Sequence, residues 1–230
     1  MAGALGPLSR ALAAALLLGG LGRHVAALET PPAPAPAAER FAVCLACHGA
    51  GGVSQLPLTP SLAGQPSFYA ITQLFLFRGG RRASPEMTAV AKGFSDDDLR
   101  GFADAIGRLP ALSPTGQAPG VDSATWQRGR QMARQFHCPV CHGAAFEGGR
   151  QTPRLAGQRE DYLLRALTEF RAGTRIGYTN AMGEALAGLD PSQIADLATY
   201  LANWTPEDGN ATGDGGKPSA IGTSATGASR

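Results

Sequence analysis

Residues 44 to 50 read Cys44-Leu-Ala-Cys47-His48-Gly49-Ala50, and the same pattern returns as Cys138-Pro-Val-Cys141-His142-Gly143-Ala144. These two segments contain all four cysteines of the chain. Positions i, i+3 and i+4 of a helical turn share a face, so each segment presents two thiols and one imidazole on one side. That arrangement suits thioether attachment of a haem, one per segment, with Cys44 and Cys47 or Cys138 and Cys141 as attachment points and His48 or His142 as an iron ligand.

Three other readings of the cysteines explain less. A disulfide oxidoreductase motif, to which Cys138-Pro139-Val140-Cys141 has a local likeness, belongs to sheet-based folds that the remaining sequence does not suggest. Structural disulfides would account for each cysteine pair and leave the histidine behind it unexplained. Zinc needs four ligands per site, and each segment offers two cysteines and one obvious histidine.

Repetition extends outward from the cysteines with a period of about 94 residues. Pro60-Ser-Leu-Ala-Gly-Gln65 returns as Pro153-Arg-Leu-Ala-Gly-Gln158. Tyr69, Leu74, Phe77, Arg78, Gly80 and Arg82 are matched by Tyr162, Leu167, Phe170, Arg171, Gly173 and Arg175, all displaced by 93. Met87 corresponds to Met182, displaced by 95.

Each repeat closes with an amphipathic helix pattern. Ser95 caps the run of Leu99, Phe102, Ala103 and Ile106, with Asp98 at the third helical position. Asp190 caps the run of Ile194, Leu197, Ala198 and Leu201, with Pro191 first and Gln193 third. The segments holding Tyr69 and Tyr162, and those leading into the cysteines, also read as helices, and no convincing period-2 strand appears. The expected architecture is all-α, two tandem units each wrapped around one covalently bound haem. Units of roughly 75 to 85 residues have marginal cores, and covalent haem supplies the staple they need.

The sixth iron ligand follows by elimination among four methionines. Met1 belongs to the leader, and Met132 precedes its cysteine pair so closely that helix packing suits it better. Met87 and Met182 follow His48 and His142 by 39 and 40 residues, enough chain to reach the opposite haem face. A thioether opposite a histidine raises the reduction potential. Gap filling is the ordinary use of a lone methionine, but the matching positions favour Met87 and Met182 as ligands. Of the other histidines, His24 lies in the leader and His137 adjoins Cys138, so a surface role suits His137 better. Pro60 and Pro153 lie near enough in sequence for a carbonyl to accept the histidine's other N–H, or are ordinary turn prolines. Arg78, Arg82, Arg171 and Arg175 suit either haem propionates or exposed helix ends.

Composition bounds the rest. The 230 residues include 20 basic and 18 acidic side chains, with 31 Gly and 17 Pro separating modest apolar segments. No dense basic run is present, so nucleic acid is not expected as a partner. Residues 1–27 read as a secretory signal, with Arg10, the apolar run Ala11 to Leu21, and Val25-Ala26-Ala27 for cleavage. The apolar run falls short of the ~20 residues that cross a bilayer, so no transmembrane span is expected, while peripheral membrane association is left open. Residues 28–38 read as a Pro/Ala spacer, 39–108 as a first domain, 109–121 as a linker, 122–204 as a second domain and 205–230 as a disordered tail.

These segments together make the sequence resemble the two-haem class I c-type cytochromes, over roughly residues 39 to 204. The resemblance rests on both Cys-x-x-Cys-His motifs, both Pro-x-Leu-Ala-Gly-Gln segments, Phe77-Arg78-x-Gly80-x-Arg82 with Phe170-Arg171-x-Gly173-x-Arg175, and the two methionines. It implies two cytochrome c folds related by pseudo-twofold symmetry, with haems facing each other across the interface. It also implies an electron carrier, not an enzyme, in the bacterial periplasm, passing single electrons between redox protein partners and often toward a terminal oxidase. The alternative within the same motifs is the cytochrome subunit that accepts electrons from a periplasmic dehydrogenase. Catalysis at haem requires an open or unusually ligated iron, which the available methionines argue against. Departures from the pattern are Ala105 where the second repeat has Tyr200, and the tail after Trp204.

Overall fold

The computed structural model describes residues 35–111, 121–175 and 179–206. Its first half contains α1 (Ala37–Arg40), α2 (Ala42–His48), a 3-10 turn (Ala50–Gly52), α3 (Ser67–Arg78), α4 (Pro85–Ala91) and α5 (Asp96–Gly107). Its second half contains α6 (Ser123–Gln135), α7 (Cys138–His142), α8 (Glu160–Arg171), α9 (Ala181–Leu186) and α10 (Pro191–Ala202). Among the described residues there is no strand, and no helix is long and apolar enough to cross a membrane. The expected signal, most of the spacer and linker, and the tail beyond Pro206 lie outside the described residues.

Both closing helices carry complete capping boxes. Ser95 Oγ accepts the Asp98 N–H while the Asp98 carboxylate accepts the Ser95 N–H, and Asp190 and Gln193 exchange the same two bonds at α10. Each cap of this kind stabilises its helix by about 1 kcal/mol. The α5 stripe of Leu99, Phe102, Ala103 and Ile106 packs on α3, and the α10 stripe of Ile194, Leu197, Ala198 and Leu201 packs on α8 and α6. Two hydrophobic clusters result, one in each half.

The halves fill their cores differently. Gly129 of α6 lies so close to the Asp196 carbonyl and Tyr200 of α10 that a Cβ there would collide with both. Trp126 of the same helix meets the Tyr200 ring edge-on at 5.1 Å, and Tyr200 in turn meets Phe146 at 5.9 Å. In the first half the corresponding helix α1 is short and brings no tryptophan, so Ala105 fills the position that Tyr200 fills in the second. Phe146 is the other difference. It adopts φ +50° where the first half has Gly52 at φ +77°, and its buried ring against Tyr200 and Trp204 offsets a backbone conformation that side chains disfavour.

The two halves belong to one compact unit beginning at Ala35, and the bonds between them are reciprocal. Gln65 donates to the Arg154 carbonyl at 2.9 Å and accepts the Arg154 N–H at 3.1 Å. Gln158 donates to the Ser61 carbonyl at 2.9 Å and accepts the Ser61 N–H at 2.8 Å. Since residues 61 and 65 correspond to 154 and 158, one interaction is made twice, as pseudo-twofold symmetry requires. Around this pair the surfaces diverge. On one side Asp161 accepts the Leu58 N–H at 3.0 Å and Arg165 donates to the Leu58 carbonyl at 3.0 Å; on the other, Arg150 lies over the Phe68 ring at 4.7 Å.

Candidate haem-binding sites

Helices α2 and α7 end at His48 and His142, and a glycine follows each in a conformation that only glycine adopts readily. Gly49 has φ +83° and Gly143 φ +85°, and a Cβ at Gly49 would strike the Val53 carbonyl. The chain can thereby leave each helix at once and double back over the histidine. Both imidazoles are buried, 7% and 5% exposed.

The returning chain supplies a hydrogen-bond acceptor to each ring. His48 Nδ1 lies 2.7 Å from the Pro60 carbonyl oxygen, and His142 Nδ1 lies 3.0 Å from that of Pro153. A carbonyl oxygen only accepts, so Nδ1 bears the proton in both rings and Nε2 keeps its lone pair. Burial pushes both imidazoles below their ordinary range, with the carbonyl bonds opposing it, so the rings are neutral and able to ligate. Between the two readings of Pro60 and Pro153, the structure favours the carbonyl acceptor.

The thiols share the histidine's helical face without converging on a point. Cys44 and Cys138 are half-buried and Cys47 and Cys141 are exposed. Among the described residues no three of His, Cys, Asp and Glu gather as they would around a metal ion. Burial raises the Cys44 thiol and lifts Cys138 to about 11, whereas disulfide-exchange motifs depend on a lowered thiol.

Each half also holds one of the two candidate methionines. Met87 sits in the first turn of α4, where Ser84 accepts its N–H at 3.3 Å, and it packs against the first-half cluster together with Cys44. Met182 sits in the first turn of α9 and packs against the second-half cluster together with Cys138. Each half therefore combines two thiols, one neutral imidazole with a free Nε2, and one thioether, a set that fits a covalently held haem. When bound, haem supplies one-electron cycling of its iron. Met132 is buried among the helices and His137 is exposed.

The four arginines separate by environment. Arg78 pairs with Asp96 at 2.8 Å and donates to the Phe94 carbonyl at 3.0 Å, and Arg171 is exposed. Arg82 and Arg175 converge on one phenol, donating to the Tyr162 hydroxyl at 2.7 and 3.0 Å. Arg82 is only 9% exposed. Burial pushes the Tyr162 phenol up, and the two guanidinium charges outweigh it and bring it down; the Tyr69 phenol is raised by burial and by Tyr162. The pairing of Arg82 with Gln73 at 2.6 Å, and the roles of Gln65, Gln158, Tyr69 and Tyr162 between the halves, are absent from the sequence reading. Their one sequence signal is that they lie within, or close beside, the repeated segments.

Residues 126–205 match the family model described as cytochrome c. Over 188 residues the chain is 34% identical to cytochrome c4 of Thiocapsa roseopersicina, a match spanning 78% of this chain and 96% of that protein. This chain belongs to the cytochrome c4 family. Reduced cytochrome c4 from Pseudomonas stutzeri has the same fold, with a TM-score of 0.66 at 29% identity over 73% of this chain and 96% of that one. A further relative, the thiosulfate dehydrogenase electron acceptor of Stutzerimonas stutzeri, is 33% identical over 168 residues, 70% of this chain and 78% of that protein. As a cytochrome c4, the chain is a tandem of all-α cytochrome c domains carrying two covalently bound haem c groups. It is an electron carrier and not an enzyme.

Proposed function

We propose that the chain is a periplasmic cytochrome c4 that passes single electrons between respiratory partners through two six-coordinate haems. In this reading Cys44 and Cys47 attach the first haem and His48 and Met87 ligate its iron. Cys138, Cys141, His142 and Met182 do the same in the second half. The domains run over 39–108 and 122–204, and the signal over 1–27 directs export. The observation carrying this reading is the duplicated histidine, buried, neutral and tied through Nδ1 to a peptide carbonyl, beside two thiols and a thioether in each half. A closed ligand set lets iron change charge with little rearrangement, which suits transfer over catalysis. The buried Arg82 and Arg175 offer positive charge for the haem propionates.

The test is the spectrum of reduced, periplasmically matured protein before and after carbon monoxide, with haem counted per chain. Two haems and an unchanged spectrum are expected. A shift in half of the haem would mean that one iron is open and would overturn the closed-carrier reading.

A terminal oxidase is the downstream partner in the primary reading. The likeness to a thiosulfate dehydrogenase electron acceptor favours a second, in which a periplasmic dehydrogenase is the donor. Reduction of the purified protein by such an enzyme at catalytic concentration supports the second reading, and failure to reduce it overturns that reading.

A further inference from the structure

The peptide bond that joins Pro60 to Ser61 faces both halves of the molecule. Its carbonyl oxygen accepts from His48 Nδ1 at 2.7 Å, and its N–H donates to Gln158 Oε1 of the other half at 2.8 Å. The peptide joining Pro153 to Arg154 repeats this: its carbonyl accepts from His142 at 3.0 Å and its N–H donates to Gln65 at 3.1 Å. Each chain of bonds runs from a side-chain amide of one half, through one peptide plane, to the imidazole of the other.

We propose that Gln65 and Gln158 are positioning residues that set the ligand strength of the histidine in the opposite half, Gln158 acting on His48 and Gln65 on His142. The proposal rests on the assignment of these histidines as iron ligands. An acceptor on a peptide N–H polarises the peptide and makes its carbonyl a stronger acceptor in turn. A stronger bond from Nδ1 raises the basicity of the imidazole, a lever that tunes metal sites from outside their ligand shell. The amides are well placed to hold this setting. Gln65 and Gln158 are 7% and 6% exposed, and each is fixed by a second bond to the next carbonyl, at 2.9 Å in both cases. The bonds toward His48 are the shorter pair, and Gln158 Oε1 is further held in place by the Arg159 N–H, which it accepts at 2.9 Å.

The consequence is a crossed response. Replacing Gln158 with Leu in the two-haem protein should raise the reduction potential of the first-half haem. It should speed exchange of the His48 ring N–H about tenfold and leave the second-half haem in place. Gln65→Leu should do the converse, moving His142 and sparing His48. Gln158→Glu in its protonated form keeps an oxygen for the Ser61 N–H and a donor for the Ser61 carbonyl, and should restore the His48 ring N–H exchange rate. Potentials resolved haem by haem, with paramagnetic NMR of the two histidine rings, read these effects independently of electron-transfer activity. If Gln158→Leu moves only the second-half haem, or neither, the relay is overturned while the ligand assignment stands. If wild-type oxidised protein shows no paramagnetic shift on His48 or His142, the ligand assignment itself falls, and the relay with it.

Discussion

A neutral imidazole is the smallest unit from which function can be argued here. His48 and His142 are held by burial and by one bond each to a proline carbonyl, and that bond leaves Nε2 free. The thioethers proposed as the second ligands carry the sharper prediction. Met87→Ala should open one iron of two, so that carbon monoxide shifts about half of the reduced haem spectrum and the potential of that haem falls. Met182→Ala should do the same in the other half, and an unchanged spectrum in either variant would refute that ligand. Cys138→Ala should leave one covalent haem per chain, counted by pyridine haemochrome after acid-acetone extraction. At this scale the histidine's bond to a proline carbonyl was legible in the sequence, because each Cys-x-x-Cys-His motif and the proline after it repeat at matching positions. Arg82 was not: whether an arginine at a helix end is solvated or buried on a phenol depends on what the other half brings near it.

Elements show where local rules were enough and where they failed. Ser95 with Asp98 and Asp190 with Gln193 are close in sequence, so both capping boxes could be read directly. The crossing of α6 over α10 could not, since it depends on Gly129 lying against a carbonyl more than sixty residues later. Gly129→Ala should force the two helices apart and destabilise the second half by about 1–3 kcal/mol, seen as an earlier denaturant midpoint of that haem's absorption. Helix α8 makes a different prediction through its first turn. Arg159 bonds the Asp161 carboxylate and holds it down at about 2. A folded value below the unfolded value of about 3.9 means that this contact stabilises fully above that pH and is lost as pH falls toward the folded value. The Asp161 side chain is 34% exposed, so screening limits the effect to within about 1 kcal/mol. Asp161→Asn should therefore flatten the melting temperature against pH between about 4 and 2.

On the scale of the whole molecule, two all-α cores meet through side-chain amides, guanidinium groups and phenols. Their arrangement was invisible in the sequence because hydrogen bonds between residues 80 to 103 apart follow no periodicity, and side chain to backbone bonds leave no mark on residue type at the accepting end. Tyr162 is the test at this level. Its hydroxyl accepts from Arg82 and Arg175 at once. Tyr162→Phe should strip a buried partner from both guanidinium groups and cost about 1–3 kcal/mol, lowering the unfolding midpoint of both haem signals together. Separate midpoints, with only one displaced, would show that the halves unfold independently.

The doubled Gln65 and Gln158 contact has a bearing on how such a chain arises. A face on which Ser61 meets Gln158 while their counterparts Arg154 and Gln65 meet each other is the face of a homodimer, so two identical one-haem polypeptides could associate through it before any fusion. In a homodimer every substitution appears on both sides of the axis. Once the gene is duplicated in tandem, each side mutates alone, and the Asp161 clasp on Leu58 opposite the Arg150 stack on Phe68 is a pair of contacts that only a fused chain can carry.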